Sequence, residues 1–177
     1  METKEVEKRF APLLLTIFIF VIDQLSKWWV VATIKEGTIK YSFLADFLWI
    51  CHVRNSAIGF SIGHSLPETA KQILFVALPV LVVVLLIFYL LKADDLKPFQ
   101  RWMVGGIIGG GLGNLFDRIF RVAWVVDFIS VKVYGLFGFE RWPTFNFADA
   151  SIVVFTLLLL ISFFVYGIKE REKDEMV

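Results

Sequence analysis

APLLLTIFIFVIDQLSKWWVV, running from Ala11 to Val31, decides the fold. A helix needs about 20 residues to cross about 30 Å of hydrocarbon, and this run is long enough. Its composition is otherwise apolar, but Asp23 and Lys27 lie in its second half. Ionisable groups at membrane depth are costly, so each marks a function or a structural tie. Lys4, Lys8 and Arg9 precede the run as they would in a signal peptide. The apolar core is too long for one, however, and no small-residue cleavage site follows, so the run reads as an uncleaved first span.

Three further apolar runs extend this reading: Ile73 to Leu91, Trp102 to Ile119 and Ile152 to Ile168. In lipid every backbone polar group must be satisfied within its own segment, which makes these runs helices. The whole chain agrees, with 177 residues, 58% hydrophobic and a mean hydropathy of +0.72. That is too apolar for a soluble domain of this length. The expected fold is a single α-helical membrane domain over residues 1–177, with four transmembrane helices at 11–31, 73–91, 102–119 and 152–168. Its extracytoplasmic loops, 32–72 and 120–149, would carry a small β-rich subdomain. Pro79 is expected to kink the second span, and Ser65-Leu-Pro-Glu to cap its start. The residues after Gly167 read as a frayed, solvated end.

Lys and Arg set the orientation. Three lie in the N-terminal tail, three in the short connection between the second and third spans (Lys92, Lys97, Arg101), and three in the C-terminal tail (Lys169, Arg171, Lys173). The others are spread over the first span and the two long loops. This density places both termini in the cytoplasm and both long loops outside. In those loops, residues 38–43 alternate, while 47–53 and 122–134 are aromatic and β-branched; all three read as short strands.

A net charge of +1 and the lack of any basic stripe interleaved with aromatics exclude nucleic acid as a partner. Cys51 is the sole cysteine, so neither a disulfide within the chain nor a cysteine metal cluster can form. His52 and His64 read as loop residues without ligand spacing, and no metal or other cofactor is expected. A Ser–His arrangement has no nucleophile elbow, and Ser26 and Lys27, adjacent on a helix, do not face each other.

Acids and amides carry the remaining chemistry. Asp23 and Lys27 share a helical face four residues apart and read as a buried structural pair. The glycines from Gly105 to Gly113 suit close helix packing. They lead into Asn114-Leu-Phe-Asp117-Arg118, near the outer boundary. Asp127 is flanked by apolar residues in a strand, and Asp149 stands at the start of the fourth span, where a first-turn acid or cap would also sit. Two carboxylates at one depth can share a proton, so that one activates water while the other protonates a carbonyl oxygen. Asp127 and Asp149 are therefore the candidate catalytic pair.

At these residues the chain resembles the lipoprotein signal peptidases, the type II bacterial signal peptidases. The likeness rests on five short blocks in order: Asp23-Gln-Leu-Ser-Lys27, Asn55-Ser-Ala-Ile-Gly-Phe-Ser61, Gly109 through Arg118, Val125-Val-Asp-Phe128 and Phe145-Asn-Phe-Ala-Asp149. Ala57 stands where the family usually has Gly, and Ala123-Trp124 replaces the usual Gly before Val-Val-Asp. The resemblance implies an intramembrane aspartyl endopeptidase of the bacterial inner membrane. Its site would lie near the outer leaflet, and it would cut prolipoproteins just before a diacylglyceryl-modified cysteine. It further implies catalysis by Asp127 and Asp149, substrate positioning by Asn55, Asn114, Arg118 and Asn146, and structural support from Asp23, Lys27 and Asp117. The expected form is a monomer in contact with membrane lipids. A small ion-coupled transporter is the alternative, but it calls for polar groups through both leaflets, and the second span has none from Ile73 to Phe88.

Overall fold

The computed structural model describes residues 9–55, 67, 69–70, 73–121 and 125–175. Four long helical segments carry the chain: α1 (Pro12–Thr33), α2 (Leu78–Lys92), α3 (Pro98–Phe120) and α4 (Phe147–Glu175). Strands β1 (Ile39–Phe43), β2 (Leu48–Asn55) and β3 (Val125–Val131) form one antiparallel sheet in the order β1-β2-β3. Length and composition mark three segments as able to cross a membrane: Pro12–Thr33, Ile73–Lys92 and Phe147–Ile168. The six glycines of α3, together with Asn114, Asp117 and Arg118, dilute its apolar character.

The helices are built inside out. The buried residues of α1 are Pro12, Thr16, Ile19, Asp23, Lys27 and Val30, a stripe at steps of three and four that covers one helical face. Its two full charges lie in that stripe, while Leu14, Ile17, Phe18, Val21, Leu25 and Trp28 face outward. A soluble helix would reverse this pattern; lipid as solvent explains it. α3 is the central helix and packs against α1, α2 and α4. Its glycines set the spacing. A Cβ on Gly105 would stand 2.5 Å from the Pro12 carbonyl oxygen, and one on Gly110 would stand 2.5 Å from that of Ala148. Thr16 Oγ1 donates to the Gly105 carbonyl (2.7 Å), a tie between α1 and α3 that the missing side chains permit.

The boundaries depart from expectation in instructive ways. α3 starts at Pro98, four residues before the apolar run, because Lys97 N–H donates to Gln100 Oε1 in a capping arrangement. A π-helical turn, Ile73–Ala77, leads into α2 directly before Pro79, so the irregularity expected of the proline takes that form. The tail after Gly167 is not frayed in its backbone: α4 continues to Glu175. His52 is not a loop residue. It lies buried in β2, where its Nδ1–H donates to Ile34 O (2.8 Å) and ties the sheet to the end of α1. The caps expected of Ser65 and Glu68, and the position of His64, fall outside the described residues.

The sheet rests on the end of α1. Val30 and Ile34 pack with Val126 and Phe128 in one apolar cluster, which is why β3 is the most buried strand. Asn55 pairs with Val125, and Val53 with Asp127. Beyond β3, Phe128 N and Ile129 N both donate to Phe145 O, and Phe145 N donates to Ile129 O. This clasp carries the chain leading into α4 back alongside β3.

Candidate active site

The clasp at Phe145 places Asn146, next in the chain, directly beside Asp127. Asn146 Nδ2 donates to Asp127 Oδ1 (2.7 Å). Asn146 is also the N-cap of α4. Its Oδ1 accepts Asp149 N–H (2.9 Å), while Asp149 Oδ2 accepts Asn146 N–H (3.2 Å), a reciprocal capping box in an Asn-x-x-Asp frame. The cap reading of Asp149 therefore holds, and it does not exhaust the side chain: Oδ1 accepts a further bond from Asn114 Nδ2 (2.7 Å). From the sheet, Asn55 Nδ2 donates to Asp127 Oδ2 (3.0 Å).

Both carboxylates face a cavity of about 280 Å³, together with Asn55, Asn114, half-buried Arg118 and the stretch from Trp142 to Phe145. Asp127 is 2% exposed. Burial, and after it the negative charge of Asp149, push its carboxyl from 3.8 up to about 7, against the pull of the Asn55 and Asn146 amides.

Behind this cavity lies a second acidic centre. Lys27 Nζ pairs with Asp23 Oδ2 at 2.8 Å and Asp117 Oδ2 at 3.1 Å, and none of the three side chains is exposed. Its third bond goes to Asn114 Oδ1 (3.0 Å). Asp23 Oδ1 accepts Ala148 N–H (3.0 Å), which satisfies a free amide in the first turn of α4. Asp117 also accepts from Arg121 Nε (3.0 Å) and Val126 N–H (3.2 Å), so it ties the end of α3 to β3.

The structure thus gathers Asn55, Asn114, Arg118, Asp127 and Asp149 around one cavity, and Asp23, Lys27 and Asp117 beneath it. Asn146, fully buried, bridges the two catalytic candidates from behind. The remainder of the second motif block, Ser56 to Ser61, and the residues Ala123-Trp124 lie outside the described residues. Sequence reasoning passed over Gln24, whose Nε2 donates to Asp23, the Gly113 carbonyl and Asp117 at 3.1 to 3.2 Å. It also passed over the cavity wall from Trp142 to Phe145; adjacency to Asp23 was the one available signal for Gln24, and the wall has none. Among the described residues no cluster of His, Cys, Asp or Glu is arranged to hold a metal ion.

Comparison with known proteins fits this geometry. The Signal peptidase (SPase) II family profile matches residues 15–165. The lipoprotein signal peptidase of Treponema pallidum is 44% identical over 161 residues, covering 91% of this chain and 87% of its own. That of Borreliella burgdorferi is 43% identical over 155 residues, covering 84% and 90%. A bacterial membrane enzyme solved by the in meso method superposes with a TM-score of 0.74 at 26% identity over 87% of each chain. A second such structure gives 0.72 at 27%, over 86% of this chain and 92% of its own.

Proposed function

Because this chain belongs to the type II signal peptidase family and removes signal peptides from prolipoproteins, we propose that Asp127 and Asp149 are the aspartyl dyad that performs the cleavage. The observation that carries the proposal is their shared cavity, in which both carboxylates are held by amides and one is raised to about 7. At neutral pH the pair holds one proton, and its titration belongs to the pair. Asp127 keeps that proton and donates it to the scissile carbonyl oxygen. Asp149 takes a proton from water as the water oxygen attacks the carbonyl carbon. Collapse of the tetrahedral intermediate breaks the C–N bond: Asp149 passes its proton to the departing amine, and Asp127 takes back a hydroxyl proton, which restores the starting pair. The products are the signal peptide, ending in a carboxylate, and a free amine on the diacylglyceryl-modified cysteine.

In this reading Asn55, Asn114 and Asn146 position the substrate against the acids they hydrogen-bond. Arg118, on the cavity wall, contacts the substrate. The lattice of Asp23, Lys27 and Asp117 braces the site from below. The chain is embedded in the membrane, and we place α3 as a fourth span. Both termini then lie in the cytoplasm, and the sheet and cavity lie at the outer leaflet of the inner membrane, as the density of Lys and Arg supports. We place the chain there as a monomer in contact with membrane lipids. The transporter alternative is not favoured, because family membership points to a peptidase.

The test is processing of a lipidated prolipoprotein by the purified enzyme, read as a gel shift. Asp127→Asn and Asp149→Asn should each abolish the shift while the protein remains folded in detergent. Full processing by either variant would overturn the dyad.

A further inference from the structure

A second cavity, of about 300 Å³, lies where α1 begins, α2 ends and α3 begins. Arg9, Asp94, Leu96, Pro98, Arg101 and Trp102 line it. Arg101 precedes Asn114 by 13 residues on α3, so this cavity is about 20 Å from the dyad along the helix axis. The two sites share no residue.

Both guanidiniums have a structural task. Arg101 donates to Leu90 O (2.9 Å) and to Ala93 O, and Arg9 donates to Leu91 O (3.0 Å) and pairs with Asp94. They thereby collar the open carbonyls at the end of α2. That task leaves charge over, because carbonyls carry no formal charge. Among the described lining residues two arginines face one acid, Asp94, whose side chain is 82% exposed; neighbouring Asp95, which accepts from Tyr89 Oη (3.1 Å), is not part of the lining. A guanidinium has five N–H groups in a fork suited to phosphate oxygens, and each arginine uses one from each of its two terminal nitrogens on these partners, which leaves three. Phe10, Phe99 and Trp102 stand exposed at the same level, where aromatic side chains meet lipid head groups. On α2, Leu81, Val84, Leu85 and Phe88 present an apolar face to which acyl chains can lie parallel.

We infer that this cavity binds the phosphodiester of an anionic membrane lipid, with the arginines on the phosphate and Leu96 and Pro98 against the glycerol. Basic pockets between helices at a membrane surface take such head groups. Asp94 competes with the lipid for Arg9, which sets the sign of one substitution.

The experiment uses the full chain in uncharged detergent, with thermal unfolding and native mass spectrometry as readouts. Phosphatidylglycerol should raise the unfolding midpoint and stay bound. Diacylglycerol with the same chains should do neither, and glycerol phosphate should act only at concentrations about 100-fold higher, since it lacks the chains. Arg9→Gln should weaken phosphatidylglycerol binding about fivefold, and Asp94→Asn should strengthen it about as much. Arg101→Gln removes two collar bonds and is at risk of misfolding, so the opposed pair at 9 and 94 carries the test. Processing of prolipoprotein in detergent should stay within about twofold of wild type in both, which separates this site from the dyad. Equal shifts from diacylglycerol would overturn the inference. So would saturation by glycerol phosphate at lipid-like concentrations, or binding that neither substitution moves.

Discussion

Two pairs of acids, buried except for half-buried Asp149, are joined through Asn114 and are treated in opposite ways. Asp23 and Asp117 share Lys27, and Asp117 also holds Arg121. Two negative charges meet two positive ones, and the arrangement is closed. Asp127 and Asp149 instead receive neutral donors, the amides of Asn55, Asn114 and Asn146. A cation beside a carboxylate anchors it in an ion pair, whereas an amide fixes its direction without adding a charge. One pair is fit for architecture and the other for proton transfer. Asn114 joins them, with its oxygen on Lys27 and its nitrogen on Asp149.

This contrast can be broken at several points. The largest effect should come from neutralising one acid in the amide-held pair. Asp127→Asn should lower processing by at least about 10³-fold while shifting the unfolding midpoint by no more than about 2 °C. The closed pair should answer in the other currency. Lys27→Met leaves two acids without their shared cation and should cost about 3–5 kcal/mol by denaturation in detergent. Adding Asp117→Asn to Lys27→Met should restore part of that loss. Asn114→Ala removes the joint between the centres. Losing a bond to a charged group is worth about 1.5–3 kcal/mol, so turnover should fall about 10- to 100-fold, read as kcat in the processing assay.

Smaller effects sharpen the comparison. A Cβ on Gly113 would meet Asp23 Oδ2 at 2.5 Å, so Gly113→Ala should destabilise by about 1–3 kcal/mol through overpacking, with turnover changed less than in Asn114→Ala. A separate signal is in pH. Asp127 rises from 3.8 to about 7 on folding, so the folded state favours its protonated form. The stability this lends is complete below 3.8 and is lost as pH climbs through about 7. The unfolding midpoint should therefore fall gently over that window, and Asp127→Asn should flatten the fall. An Asp127→Asn profile parallel to wild type would remove the raised carboxyl from the account.

Much of this was legible in the chain. Apolar runs as long as a bilayer is thick gave the helices, because backbone hydrogen bonding in lipid leaves no other structure. Alternation at 38–43 and β-branching around Asp127 gave the strands. The i,i+4 spacing of Asp23 and Lys27 gave their pairing. Asn146 and Asp149, three apart, are a visible capping box. What the sequence could not display are partners set by tertiary placement. Nothing local says that Asn114 and Asn146 donate to the two carboxylates, or that Gln24 bridges two helices. His52 lies within the run that reads as a strand, but nothing local shows that Ile34 would offer it a carbonyl. The helix ends were missed where caps and charged tails, rather than hydropathy, decide them.

The bond from Ala148 N–H to Asp23 also has a meaning in time. A ribosome makes Asp23 early and Ala148 late, with donor and acceptor 125 positions apart. Until the last helix emerges, Asp127 lacks the amide of Asn146 and the company of Asp149. The Asp23–Lys27 pair meanwhile lets the first helix enter the bilayer with its charges matched. Under the proposed mechanism the nascent chain lacks one of its two acids until Asp149 is made, so a product that stops before Asp149 has no dyad.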